Sequence, residues 1–128
     1  MKFLIDTHVL LWIVSDSGKL SKKVKEIYLD ENNEIFISIA SIWEMAIKIS
    51  LKKLKLSLPL SEFVQEHVYK NNIQIQNISL INIYRLESLP YHHRDPFDRL
   101  IISQTISENI PIISNDKQFY NYDIECIW

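Results

Sequence analysis

Blocks of apolar residues recur along this chain with periods that switch between strand-like and helix-like. Phe3-Leu4-Ile5 is a continuous apolar run closed by Asp6, which predicts a buried strand over Lys2 to Asp6 with the acid at its C-terminal end. Thr7 to Val14 carries too many apolar residues for a solvated face and reads as a short, mostly buried helix running into the Ser15–Gly18 turn. Leu20 to Glu31 follows as a second helix, with Val24, Ile27 and Tyr28 on one face. Glu34 to Ser38 is a second strand, after which Ser38 or Ser41 opens a longer helix to about Lys53 with Ile42, Met45, Ala46 and Ile49 as its core stripe. A helix from Ser61 to about Asn71 comes next, marked by Phe63, Val64, His67 and Val68. Strict alternation from Ile73 to Ile78 gives a third strand with one polar face, as expected near a sheet edge.

Ser79 to Leu89 is helical and stops before Pro90. The helix from Asp95 to about Asn109 opens on Asp95-Pro96-Phe97-Asp98. Asp95 caps it, Pro96 suits its first position, and Asp98 stands three residues after the cap in a box-like pattern. Ile110 to Ser114 is a fourth strand with Pro111 at its entry, Asn115 to Phe119 turns into a short helix, and Ile124 to Trp128 closes as a last strand. Strands separated by helices throughout specify right-handed crossovers and a parallel sheet covered on both faces. The fold class is α/β, and the 128 residues fit one domain, 1–128.

Composition narrows the chemistry. A single glycine, Gly18, excludes the glycine-rich loops that cradle nucleotides and dinucleotides. The lone Cys126 has no disulfide partner and reads as a small hydrophobe. No apolar stretch is long enough to cross a bilayer, and the N-terminus meets an acid too early for a signal peptide, so a cytoplasmic protein without membrane contact is expected. A net charge of −2 argues weakly against a general nucleic-acid coat protein, while leaving room for a local basic face. Lys19, Lys22, Lys23 and Lys25 read as a solvated face rather than an RNA contact. The alternating Lys48–Leu56 segment fits a phosphate-facing rim, a partner surface or a solvated helix end.

The acids are more telling. In a parallel α/β sheet all strands point their C-terminal ends at one edge, where ligands bind at the switch in strand order. Asp6 ends the first strand, Asp116 lies just past the fourth, Asp98 is in the first turn of the helix feeding that strand, and Glu44 lies early in the helix after the second. Each has an ordinary reading: Asp6 and Asp116 as caps, Asp98 as box partner, Glu44 as a surface residue, which its position alone favours slightly. Together they crowd one edge. Carboxylates brought close raise a pKa or demand a cation, and an open site of hard oxygen ligands suits magnesium or manganese. Adjacent His92 and His93, without cysteine, do not form a zinc pattern and with Arg94 read as loop residues facing solvent or substrate phosphate. Such a cluster activates water and stabilises phosphoryl charge, so phosphodiester hydrolysis follows.

Four segments, Phe3–Trp12, Ser41-Ile42-Trp43-Glu44, His93–Ile101 and Ser114-Asn115-Asp116, resemble the PIN-domain family and, within it, VapC-like toxins of toxin–antitoxin pairs. The resemblance implies a three-layer sandwich around a five-stranded parallel sheet of order 3-2-1-4-5, with Asp6 beside Asp116. It also implies a Mg2+- or Mn2+-dependent endoribonuclease acting on RNA, an antitoxin partner and a homodimer. Asp6, Glu44, Asp98 and Asp116 match the family's acids and become the expected catalytic and metal-holding residues. Asp95 matches the motif but not the ligand set, and Thr7 and Ser114 sit where small hydroxyls support ligands. His8 departs from the more frequent asparagine. The competing reading is a non-catalytic PIN-like module binding RNA or protein. A phosphatase using Asp6 as nucleophile lacks a second aspartate two residues on, where His8 stands, and a serine hydrolase lacks a glycine-flanked serine.

Overall fold

The computed structural model describes residues 1–128. Its elements run β1 (Lys2–Ile5), α1 (Thr7–Val14), α2 (Lys22–Leu29), β2 (Glu34–Ser38), α3 (Ile39–Ser50), α4 (Leu60–His67), β3 (Ile73–Gln76), α5 (Leu80–Leu86), α6 (Pro96–Glu108), β4 (Ile112–Ile113) and β5 (Cys126–Ile127). Short 3₁₀ turns occupy Tyr69–Asn71 and Lys117–Asn121. All five strands are parallel in the order β3-β2-β1-β4-β5, so chain order reverses between β1 and β4.

The period of two along the strands divides the core. Phe3 and Ile5 of β1, Ile35 and Ile37 of β2 and Ile113 of β4 face one side, where Val9 and Leu10 of α1, Val24 of α2, Met45 of α3 and Phe63 of α4 cover them. Leu4 and Ile112 face the other side against Ile101 and Ile102 of α6 and Phe119. Helices on both faces make the three-layer sandwich. No helix is long and apolar enough to cross a membrane.

Element ends differ from the sequence reading where capping decides them. Asp6 leaves β1 to cap α1, accepting from the Val9 N–H at 2.9 Å. The helix expected over Leu20 to Glu31 runs from Lys22 to Leu29 with Ser21 as its cap, and Ser38 rather than Ser41 starts α3. That helix stops at Ser50 because Lys52 takes a positive φ of 58°. The helix expected to about Asn71 ends at His67, and the chain passes through a 3₁₀ turn to left-handed Asn72 before β3. Strand β3 lies at the sheet edge, as its polar face suggested, and stops at Gln76. The two strands expected over Ile110–Ser114 and Ile124–Trp128 shrink to Ile112–Ile113 and Cys126–Ile127. Pro111 has no N–H to pair and contributes only its carbonyl, which takes the Leu4 N–H at 3.0 Å.

Candidate active site

The acids gather where β1 and β4 end, beside the switch in strand order. Asp6 is 4% exposed and divides its carboxylate: Oδ1 caps α1, while Oδ2 takes the Ser114 hydroxyl from the end of β4. Ser114 Oγ also accepts the Asp116 N–H at 3.1 Å, so one hydroxyl ties the two acids together. Asp116 divides its carboxylate in the same manner, Oδ1 accepting the Gln118 N–H at 2.9 Å as a cap and Oδ2 turning to His93. In both residues the cap fixes the rotamer and leaves the second oxygen to a partner from elsewhere in the chain, Ser114 for Asp6 and His93 for Asp116.

Glu44 is 4% exposed, not a surface residue. Thr7 Oγ1 donates to its Oε1 at 2.8 Å with the Ser41 hydroxyl also 2.8 Å away, and Lys48, one turn on along α3, donates to Oε2 at 2.7 Å. That bond holds the Lys48 ammonium above its usual range, with the charges of Asp95 and Asp98 adding to it. Trp43 and Phe97, the neighbours of Glu44 and Asp98, meet edge to face with centroids 4.9 Å apart and join α3 to α6.

Asp98 is poised by the helix start. Asp95 Oδ1 accepts the Phe97 and Asp98 N–H groups at 2.8 and 3.2 Å, with Pro96 between. The box is not reciprocal, because the Asp95 N–H goes to His93 Nδ1 at 3.2 Å instead of to Asp98. The Asp98 carboxylate is thereby spared for the cleft. Burial, followed by the charges of Asp95, Glu44, Asp6 and Asp116, pushes its carboxyl up to about 8. Burial likewise raises Asp6, against the opposing Ser114 and Val9 hydrogen bonds. Asp98 thus feels the other three predicted acids, although the tightest group is His93, Asp98 and Asp116, whose donor atoms lie within 4.8 Å of one another. Asp6 and Glu44 stand outside that trio, engaged by Ser114 and by Thr7 with Lys48. Burial pushes the Cys126 thiol up to about 11, so no thiolate nucleophile is on offer.

A family model described as PIN domain matches residues 3–125. The chain belongs to the PIN-domain family. A search of curated proteins gives no match to this PIN domain. Among solved structures it is similar to VapBC2 from Rickettsia felis bound to a DNA fragment from its promoter, at 16% identity and TM-score 0.72 over 98% of this chain and 97% of that one. DNA-bound VapBC from Salmonella typhimurium follows at 13% and 0.70, covering 98% and 96%, and a toxin–antitoxin complex from Klebsiella pneumoniae at 16% and 0.62, covering 98% and 95%. At such identities the likeness is one of fold.

Two residues of this PIN domain's site were not legible beforehand. His93, read as a solvated loop residue, is 7% exposed with Nε2 2.9 Å from Asp116 Oδ2 and 3.1 Å from Asp98 Oδ2. Arg99 is 5% exposed and donates to the carbonyls of Leu86, Leu89, Pro90 and His93 while stacking 3.7 Å from the Tyr91 ring centroid. No local pattern marks either one, because their partners lie in other segments. His92 packs instead against Tyr122, away from the acids' hydrogen bonds.

Proposed function

We propose that this PIN domain is a divalent-metal-dependent endoribonuclease that hydrolyses RNA phosphodiester bonds, and that it is the toxin of a toxin–antitoxin pair. The observation that carries the reading is the convergence of Asp6, Glu44, Asp98 and Asp116 from four separate segments, where burial first, and then the neighbouring charges, push the Asp98 carboxyl to about 8. Carboxylate oxygens backed by the Thr7 and Ser114 hydroxyls are a hard donor set, which fits Mg2+ or Mn2+ held by those four acids. A bound ion there supplies Lewis-acid stabilisation of a phosphoryl oxygen and an activated water for in-line displacement.

The chain's own contribution is position and charge. Ser114 fixes Asp6 and, through the Asp116 N–H, the loop after β4; Thr7 and Lys48 fix Glu44; the Asp95 cap fixes Asp98 in the first turn of α6. The Lys48 side chain remains 41% exposed while its ammonium holds Glu44, which keeps a positive charge at the site for an anionic backbone. The antitoxin is supported by the VapBC and toxin–antitoxin structures among the neighbours. A homodimer is supported by the exposed apolar side chains of Leu80, Ile81, Ile83 and Tyr84 on α5. An RNA substrate and an antitoxin both imply action in the cytoplasm, as one domain spanning 1–128.

Purified protein supplied with Mn2+ is expected to cut RNA, and Asp98→Asn to abolish cutting with the fold intact by circular dichroism. Equal cleavage by the Asp98→Asn protein overturns the assignment. Calorimetric titration separates the nuclease from a non-catalytic RNA- or protein-binding module, which predicts no carboxylate-dependent metal uptake.

A further inference from the structure

His93 is held at every polar atom. Its backbone N–H donates to Tyr122 Oη at 2.9 Å, and that hydroxyl donates in turn to the Pro90 carbonyl at 2.6 Å. Its carbonyl lies 3.5 Å from Arg99 Nη1, one arm of a guanidinium that also takes the carbonyls of Leu86, Leu89 and Pro90. Its ring packs edge-on to Phe119 at 5.6 Å between centroids. On the ring, Nδ1 accepts the Asp95 N–H at 3.2 Å, and Nε2 lies 2.9 Å from Asp116 Oδ2 and 3.1 Å from Asp98 Oδ2.

These contacts decide the tautomer. A nitrogen that accepts from an amide N–H carries no proton of its own, so in the neutral ring the proton sits on Nε2. Nε2 therefore faces the two carboxylates as a donor. Coordination of a metal through Nε2 would need the proton moved to Nδ1, where it would meet the Asp95 N–H head-on. The trio of His93, Asp98 and Asp116 looks like a three-ligand set by distance alone, but its hydrogen bonding is that of two acids and a spacer.

We propose that His93 is a positioning residue whose Nε2–H bridges Asp98 and Asp116, setting the gap between these acids across the cleft without itself ligating the ion. The inference rests on the nuclease reading for its metal and on the hydrogen bonds above for its geometry. The two carboxyl groups are carried by different elements, α6 and the loop after β4, and His93 Nε2 is the one polar group within hydrogen-bonding reach of both. Outer partners of this type cost roughly 10- to 100-fold in metal affinity or activity when removed.

Long-range proton–nitrogen NMR of histidine-labelled wild-type protein tests the bridge directly. The metal-free protein is expected to show the Nε2–H tautomer for His93, kept when Mg2+ is added to saturation. An Nδ1–H tautomer, or loss of the Nε2 proton on Mg2+ addition, overturns the proposal in favour of a ligand. In parallel, His93→Leu and His93→Gln are titrated calorimetrically with Mg2+ and with Mn2+. His93→Leu is expected to bind both ions about 10- to 100-fold more weakly, with their ratio unchanged. His93→Gln, whose amide N–H reaches toward the Nε2 position, is expected to recover most of the loss. Wild-type affinity in His93→Leu, or a loss confined to Mn2+, which accepts nitrogen ligands more readily than Mg2+, counts against positioning. Should wild-type protein take up neither ion, the nuclease reading fails, and the tautomer measurement still decides whether the bridge exists.

Discussion

Asp98 sits in an environment far from the one a carboxylate meets in water. Burial, then Asp95, Glu44, Asp6 and Asp116, raises its carboxyl from 3.8 to about 8, while His93 and Lys48 are the facing groups that offer it a proton or positive charge. A carboxyl with a higher pKa in the folded than in the unfolded state holds more protons when folded, so stability declines as pH rises through the window between those values. Burial of Asp6 acts in the same direction. Metal-free protein in chelator should therefore melt at a lower temperature near pH 8 than near pH 5. Asp98→Asn should flatten that slope and melt higher than wild type near pH 8. A wild-type melting temperature that climbs across this range would contradict the assigned burial. At this scale the sequence revealed which acids to watch but not their states. Glu44 reads slightly better as a surface glutamate until Thr7 and Lys48, contributed by α1 and by the next turn of α3, are seen to enclose it.

At the scale of elements, helix starts do the aiming. Asp95 caps α6 through two N–H groups and so orients Asp98, while its own N–H orients His93. Asp95→Ala keeps that N–H and loses the cap, which costs about 1 kcal/mol, and calorimetric melting should fall by about 3–5 °C. Asp95→Asn retains a capping oxygen and should restore most of the loss. Arg99 lies one turn from Asp95 on the buried side of α6 and gathers the carbonyls of Leu86, Leu89, Pro90 and His93. Arg99→Met leaves those carbonyls without their charged donor and should cost about 3 kcal/mol or more by urea unfolding. Cleavage should fall further than stability explains, since the loop carrying His93 loses its anchor. The capping of α6 was readable from Asp95-Pro96-Phe97-Asp98 because a cap is a local event. The role of Arg99 was not, because arginine is ordinarily exposed and its four acceptors come from the end of α5 and the irregular segment after it.

For the molecule as a whole, the sheet order does most to assemble the site. Placing β4 beside β1 brings Ser114 within hydrogen-bonding reach of Asp6 across 108 residues of chain. One cleft lies away from the acids, along β3 between Ile39, Tyr69 and Ile75, and the candidate site is marked by converging charge. The outer surface also carries apolar exposure, with Leu80, Ile81 and Tyr84 of α5 more than half exposed. If that face joins two copies, Ile81→Glu with Tyr84→Glu should shift sedimentation from dimer to monomer while leaving the metal-free fold intact. Unchanged sedimentation would place the dimer contact on another face.

By itself the sequence determined the α/β class, the order of strands and helices, and the placing of Asp6, Asp98 and Asp116 at element ends, because apolar periodicity, caps and proline act over a few residues and are written in consecutive positions. The resemblance carried by four short motifs supplied the strand order, which the structure bears out. Tertiary structure alone decided that β4 and β5 are two-residue strands, that Glu44 is enclosed, that Asp6 and Asp116 each split a carboxylate between a cap and a distant partner, and that His93 stands between Asp98 and Asp116. Those features depend on which distant groups arrive beside a residue once the sheet closes. Burial and hydrogen bonding are properties of that arrival, and no local pattern encodes them.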